Sequence, residues 1–223
     1  MAQREAIVYC LDIKFEKRIE EELSQNLFQI EVDITKILSI QNTFKKIYYT
    51  QNKIDVLINN AGVTFPADDN EIYPVDKWDK TLNINLTGSF ICSQVVLEYM
   101  KKNKSGSIIN ITSLNAELAF PNNPAYVVSK GGLKMLGKAL SRDWGKYGIR
   151  VNNLGPGYIK TDMTEASFKN EKIKKERENK TMLGRWGEID DLIGPCIFLA
   201  SDASGYITGQ DIYVDGGWLS KGL

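Results

Sequence analysis

The sequence predicts an α/β protein built on a doubly wound, mainly parallel sheet with helices on both faces. Three observations lead there. Short, β-branched apolar runs recur along the chain, among them Ala6 to Leu11, Ile108 to Ile111 and Ile149 to Leu154; they are too short for helices and read as strands buried on both sides. Between them lie longer segments with apolar residues near helical spacing. Strands and helices then alternate from one end to the other, which parallel pairing requires. With 223 residues and no internal repeat, low-complexity stretch or linker, the chain is long enough for one sizeable core and short for two domains.

Taken in order, Ala6 to Leu11 is the first strand and ends at Asp12. Phe15 to Leu23, rich in Glu and Lys, reads as a helix. Leu27 to Val32 is the second strand, followed by Asp33, Ile34 and Thr35. Ser39 to Tyr49 places Ile40, Phe44 and Ile47 near helical spacing. Ile54 to Ile58 is the third strand, running into Asn59-Asn60-Ala61-Gly62. A loop with Pro66, Asp68, Asp69, Asn70 and Pro74 leads to Asp76, a suitable N-cap for a helix through Met100. Apolar residues cover most of that helix's circumference, and a sheet covers only one side, so a subunit interface is expected there.

The strand Ile108 to Ile111 follows, then a helix beginning about Tyr126 and ending near Tyr147-Gly148, then the strand Ile149 to Leu154 running into Gly155-Pro156-Gly157. Residues 162–182 are polar and Lys/Glu-rich, a composition that fits a mobile helical flap and a solvated helix equally well. Glu188, Asp190 and Asp191 suit a helix N-terminus; Pro195 should kink that helix or mark a later start. Gln210 to Val214 is the last strand, before Asp215-Gly216-Gly217-Trp218.

Composition narrows the function classes. Lys plus Arg equals Asp plus Glu, 28 of each, so no basic field points to nucleic acid or an anionic membrane. No apolar run approaches the roughly 20 residues of a membrane helix, and the first residues lack the apolar stretch of a signal peptide. Cys10, Cys92 and Cys196 lie far apart among apolar neighbours and read as buried free thiols, which suits a cytoplasmic protein. The chain has no histidine. Ser-His-Asp triads and His-based zinc sites are thereby excluded, no metal site is expected, and proton transfer falls to Tyr, Lys, Cys or a carboxylate.

Ser113 stands just beyond the strand Ile108 to Ile111, where open α/β sheets place their ligands. Tyr126 and Lys130 are four apart on one helical face. A nearby ammonium favours a phenolate and should lower a phenol's pKa from its usual value near 10; the phenol becomes a general acid/base, and the serine can hold the reacting oxygen. Tyr-x-x-x-Lys is a cheap pattern that recurs at Tyr49/Lys53 and Tyr73/Lys77, but neither copy has a serine at the matching distance after a strand.

These motifs resemble the short-chain dehydrogenase/reductase family of NAD(P)-dependent oxidoreductases with a Rossmann-like sheet. The resemblance runs from about Ala6 to Trp218 and rests on ordered motifs: Asn59-Asn60-Ala61-Gly62, Asn85 within NINLTG, Ser113, Tyr126/Lys130, Pro156-Gly157 with Thr161, and ITGQDIYVDGG. It implies that Tyr126 transfers the proton, that Lys130 lowers its pKa and holds the nicotinamide ribose, that Ser113 orients the reacting oxygen, and that Asn85 supports a water relay through a break in its helix. Asn59, Ala61 and Gly62 would pass close to the cofactor, and Pro156, Gly157, Ile159 and Thr161 would border the nicotinamide and phosphates. Asp33 and Ile34 would border the adenine. Asp12 would bond a ribose 2′-hydroxyl and repel a 2′-phosphate, favouring NAD over NADP, although Lys14 and Arg18 could offset the repulsion.

The departure from the family is at the front. No glycine precedes Gly62, so the Gly-rich loop that cradles a pyrophosphate is missing, together with the first strand and most of the first helix. Residues 1–4 would then be that helix's tail, and codons upstream of Met1 are expected to encode the missing unit. The alternative is a non-catalytic relic or interaction subunit that cannot hold the dinucleotide; a nucleotide-sugar epimerase is disfavoured by the short C-terminal region. The resemblance implies a small alcohol or carbonyl substrate and a homodimer or homotetramer. GRWGEIDDL, VDGGW and the polar residues Asn115, Glu117, Asn122 and Asn123 suggest a sugar or sugar acid; 3-oxoacyl-carrier reductases look similar.

Overall fold

The computed structural model describes residues 6–15, 26–67 and 72–221. Most of the expected helix Phe15 to Leu23, with Arg18, lies outside the described residues, as do residues 1–4 and Asp68, Asp69 and Asn70. The elements are β1 Val8–Asp12, β2 Leu27–Glu31, α1 Ile37–Gln51, β3 Val56–Asn59, α2 Val75–Leu82, α3 Ser89–Asn103, β4 Gly106–Ile111, α4 Pro124–Trp144, β5 Ile149–Pro156, α5 Glu165–Lys169, α6 Glu171–Lys180, α7 Asp190–Ala200 and β6 Asp211–Val214.

Every strand pairing among these elements is parallel, in two pieces: β1 with β2, and a four-stranded sheet in the order β3-β4-β5-β6. No pairing joins β1 to β3 among the described residues. The pieces are bridged by one core, in which Leu11 and Val32 from the β1–β2 side pack with Ile40, Phe44, Val96, Met100, Ile108, Leu140 and Val151. That core places α1, α3 and α4 on one face. On the other face Leu199 of α7 packs with Ile109 and Leu154, so the sheet is doubly wound as expected. None of the described helices is long and apolar enough to cross a membrane.

Local chemistry explains most boundaries. In α1 the apolar positions Ile40, Phe44 and Ile47 are all buried, and Asn52 ends the helix at a left-handed φ of 58°. Asp76 is not an N-cap: Pro74 holds that position, and Asp76 lies in the first turn of α2, where its charge still suits the helix dipole. The helix that runs on to Met100 is interrupted by a π-helical segment, Asn83–Gly88, between α2 and α3, where the family resemblance implied a break; an extra residue in a turn commonly marks a functional position. Asn85 lies inside that break. α7 starts at Asp190 with Pro195 in its interior, so the proline does not mark a later start.

A row of buried amides crosses the four-stranded sheet. Asn59 on β3, Asn110 on β4, Asn153 on β5 and Asp211 on β6 are successive register partners. Asn59 Nδ2 donates to Asn110 Oδ1 at 2.9 Å, Asn110 Nδ2 to Asn153 Oδ1 at 3.0 Å, and Asn153 Nδ2 to Asp211 Oδ1 at 2.7 Å. Asn153 Nδ2 also donates to the Lys134 carbonyl of α4 at 3.0 Å, tying the row to the helix that bears Tyr126 and Lys130.

Candidate active site

α4 presents the tyrosine and lysine. Its first turn is set by Pro124 at the helix start and by Asn123, whose Oδ1 accepts from the Tyr126 backbone N–H at 3.4 Å. Lys130, one turn on, is buried, with Nζ 5.6 Å from the centre of the Tyr126 ring. The ammonium donates to the carbonyl of Ile111, the last residue of β4, at 2.7 Å. Ser113 follows that strand and its hydroxyl interacts with the Tyr126 phenol. The trio expected from the sequence therefore converges at the carboxyl edge of β4.

The electrostatics differ from expectation in one respect. Burial pushes the Tyr126 phenol up, opposed by the hydrogen bond with Ser113 and reinforced by Tyr158 nearby. Burial also lowers the Lys130 ammonium to about 8. The phenol expected to be pulled down is raised by burial, and one proton of the neighbouring ammonium goes to the Ile111 carbonyl.

Asn85 is fully buried and clamps the loop after β3. Its Oδ1 accepts from Val63 N at 2.8 Å, while Nδ2 donates to Val63 O at 2.9 Å and to Ser129 Oγ on α4 at 3.1 Å. A Cβ on Gly62 would stand 3.4 Å from Asn85 Oδ1 and 3.6 Å from Lys130 Nζ. The loop backbone thus lies against both side chains. Gly157 plays a similar part after β5, where a Cβ would lie 2.7 Å from the Asp215 Cα.

Other expected positions fall less simply. The Asn59 side chain is buried and its amide bonds Asn110 and Ser93 within the sheet; Ala61 and Gly62 stay in the loop beside it. Asp12, at the end of β1, is exposed, and its carboxylate accepts only a long 3.4 Å contact from Lys14 N among the described residues. Asp33 is folded onto Thr35, accepting from its N–H at 2.9 Å and its hydroxyl at 2.7 Å, bonds that hold its carboxyl below the usual range. Ile34 packs against Gly88 at the end of the π segment. Ile159 is buried in a bridge to Gly187, and Thr161 caps the following turn with Thr164. Of the polar residues after Ser113, Glu117 is taken by Lys134 and by Tyr213, and Asn123 by Thr64 and the α4 cap.

Sequence reasoning missed an aromatic wall. Phe120, Tyr158 and Trp218 pack together, with Tyr158 and Trp218 stacked at 5.4 Å, and Trp186 adds an edge contact to Tyr158 at 5.2 Å. Arg177 of α6 lies against this wall. Phe168 of α5 meets Trp186, whose indole N–H donates to the Lys174 carbonyl at 3.1 Å. Residues 162–182 are helical as expected but are packed onto the site side by rings. The signal was present in the tryptophans and tyrosines flanking the Gly-rich turns, which are distant in sequence.

Comparison with known proteins places the chain in a family. The family model described as enoyl-(acyl carrier protein) reductase matches residues 1–219. The chain belongs to the short-chain dehydrogenase/reductase family. It is 40% identical over 164 residues to the gluconate 5-dehydrogenase of Gluconobacter oxydans, covering 74% of this chain and 64% of that protein. A 2-dehydro-3-deoxy-D-gluconate 5-dehydrogenase of Bacillus subtilis is 38% identical over 193 residues, 85% of this chain and 74% of that one. Among solved structures, a gluconate 5-dehydrogenase from Burkholderia cenocepacia in complex with NADP and tartrate superposes with a TM-score of 0.88 at 32% identity, covering 97% of this chain and 87% of that chain.

Proposed function

We propose that the protein is an NAD(P)-dependent oxidoreductase that interconverts a secondary alcohol and a ketone on a sugar acid. The observation that supports this best is the convergence of Ser113, Tyr126 and Lys130 at the edge of β4 in a chain whose relatives include enzymes named for gluconate.

The residues around the nicotinamide position fit a dinucleotide. The close loop at Gly62, whose missing side chain leaves the backbone free beside Asn85 and Lys130, admits a flat ring and ribose. Lys130 has ammonium protons beyond the one given to Ile111 and would hold ribose hydroxyls; Pro156, Gly157, Ile159 and Thr161 border the same edge. The bound dinucleotide supplies the hydride-accepting or hydride-donating carbon. In oxidation Tyr126 takes the proton of the substrate hydroxyl while Ser113 holds its oxygen; in reduction the neutral phenol gives that proton back. Asn85 fixes the loop and, through Ser129, the start of α4.

NAD is the preferred form in this reading, because Asp12 stands exposed at the end of β1 where an adenosine ribose would lie. A carboxylate there bonds a 2′-hydroxyl and repels a 2′-phosphate. Asp12→Ser is expected to shift the NADP/NAD ratio of kcat/KM toward NADP by at least about tenfold, or roughly 1.4 kcal/mol; an unchanged ratio would remove Asp12 from the cofactor site. The protein is read as cytoplasmic, in keeping with three free cysteines, and as a homodimer or homotetramer, with Phe90 of α3 and Val128 and Met135 of α4 exposed for a partner copy.

The deciding assay follows NAD(P)H formation by the full-length protein with D-gluconate and related aldonates, beside uncharged polyols. Turnover of an aldonate is expected. Turnover of polyols alone would reject the sugar-acid substrate, and no dinucleotide-dependent turnover of any alcohol or ketone would reject the reaction.

A further inference from the structure

The geometry points to Arg177 as the residue that recognises the substrate's carboxylate, an inference that rests on the sugar-acid reading above. Its guanidinium carbon lies 4.7 Å from the centre of the Tyr158 ring, 5.4 Å from Phe120 and 5.9 Å from Trp218. Three aromatic contacts hold the head group of a residue that, by sequence, sits in a solvated Lys/Glu-rich helix. Its Nε is buried and has no hydrogen-bond partner among the described residues.

The other well-placed arginines are satisfied. Arg185 is paired through both terminal nitrogens with Asp191, at 2.7 and 2.9 Å. Arg150 donates to Leu199 O, Ser201 O and Ser204 Oγ. The carboxylate beside Arg177 is that of Glu176, 3.8 Å from Nη1 and 55% exposed, a contact worth little. An unmet buried donor on a charged group is costly, and the side chain keeps 22% exposure, through which an acceptor can approach the guanidinium.

Position and chemistry select the acceptor. Tyr158, the ring closest to Arg177, is near enough to Tyr126 to push its phenol up, so the guanidinium stands one aromatic residue away from the proton-transfer group. A planar guanidinium stacked on rings is preorganised and weakly hydrated, and its fork matches a carboxylate in two parallel bonds. A hydroxylated carbon chain can place its C–H edges against Phe120 and Trp218 while its carboxylate meets Arg177 and its reacting carbinol reaches Tyr126. An uncharged polyol of equal length meets the same wall without an anion to offer.

The test is a binding measurement that needs no turnover. Tryptophan fluorescence, with Trp218 and Trp186 beside the guanidinium, is followed in full-length Tyr126→Phe protein with NAD present, during titration with D-gluconate or with uncharged D-glucitol. Arg177→Met in that background is expected to weaken gluconate about 30- to 100-fold, as loss of a charge-assisted bidentate contact does, and to leave glucitol unchanged. Arg177→Lys, which keeps the charge and loses the fork, is expected to recover only part of the affinity. Circular dichroism melting of each variant checks that α6 remains folded.

If Arg177→Met binds gluconate as the reference does, the assignment falls while the sugar-acid substrate stands. An equal loss for gluconate and glucitol makes Arg177 a strut between α6 and the rings, and also overturns it. Tighter binding of glucitol than gluconate by the reference protein sinks the sugar-acid reading and the assignment with it.

Discussion

Tyr126→Phe is expected to lower kcat about 10³-fold in both directions, within the range removed with a positioned general acid/base, while KM for the substrate changes little. The phenol is buried, interacts with Ser113 and sits one helical turn from Lys130. Removing one oxygen leaves the ring and its packing in place. The pH dependence adds a second signature. With its pKa raised by burial, the phenol is protonated near neutrality, the form that donates in carbonyl reduction. Oxidation requires the phenolate, whose fraction grows with pH.

The Lys130 ammonium, 5.6 Å from the phenol's ring centre and lowered to about 8, loses its charge before the phenol does as pH rises. Wild-type oxidation should therefore climb with pH through neutrality and beyond as the phenolate fraction grows, and reduction should hold below about 8 and then fall as Lys130 loses its charge while the phenol stays protonated. The residual oxidation by Tyr126→Phe should lack the climb. Initial rates measured in both directions across pH decide the matter; a Phe variant that retains wild-type kcat would remove Tyr126 from the chemistry.

Asn110→Leu is expected to destabilise the fold by about 3 kcal/mol, or roughly 6–12 °C in melting temperature for a chain of this size. The substitution nearly conserves volume but withdraws an acceptor from Asn59 Nδ2 and a donor from Asn153 Oδ1 in the middle of the sheet. Asn59 retains Ser93 Oγ at 3.0 Å. No other donor reaches Asn153 Oδ1 among the described residues, and the residue is buried, so that oxygen bears most of the cost. Urea and thermal unfolding of the variant beside wild type provide the check. A shift of less than about 0.5 kcal/mol, typical of surface substitutions, would show that the row is incidental to stability.

What could be read in advance follows from the length scale of each signal. Strands and helices were legible because Ile40, Phe44 and Ile47, or Ile108 and Ile109, state their period within a few residues. Tyr126 and Lys130 were legible together because four residues on a helix is a spatial distance as much as a sequence distance. The fate of the Lys130 ammonium was not, since Ile111 lies nineteen positions away on another element. The partners of Asn59 were hidden for the same reason: a turn motif reads locally, whereas Ser93 and Asn110 come from α3 and β4. Arg177 was hidden by its neighbours, because a helix of Glu and Lys says nothing about which single side chain meets Phe120, Tyr158 and Trp218. The way one core around Val32 and Ile108 spans both pieces of the sheet was equally out of reach, since it joins residues that are far apart in the sequence and lie on separate strands and helices.

The amide row has a direction. An asparagine side chain can be turned end for end, exchanging its donor and acceptor, but an ionised carboxylate only accepts. Asp211 stands last, with Lys138 Nζ 3.0 Å from its other oxygen, so Asn153 must give its proton toward β6, and Asn110 and Asn59 must each face the same way in turn. One acidic residue at the edge of the sheet and the carbonyl of Lys134 on α4, which also only accepts, together set the orientation of three amides up to three strands away. Asp211→Asn would remove one of the two acceptors that fix this alignment and leave the Lys134 carbonyl, which also only accepts, to hold Asn153 and the amides behind it in the same direction.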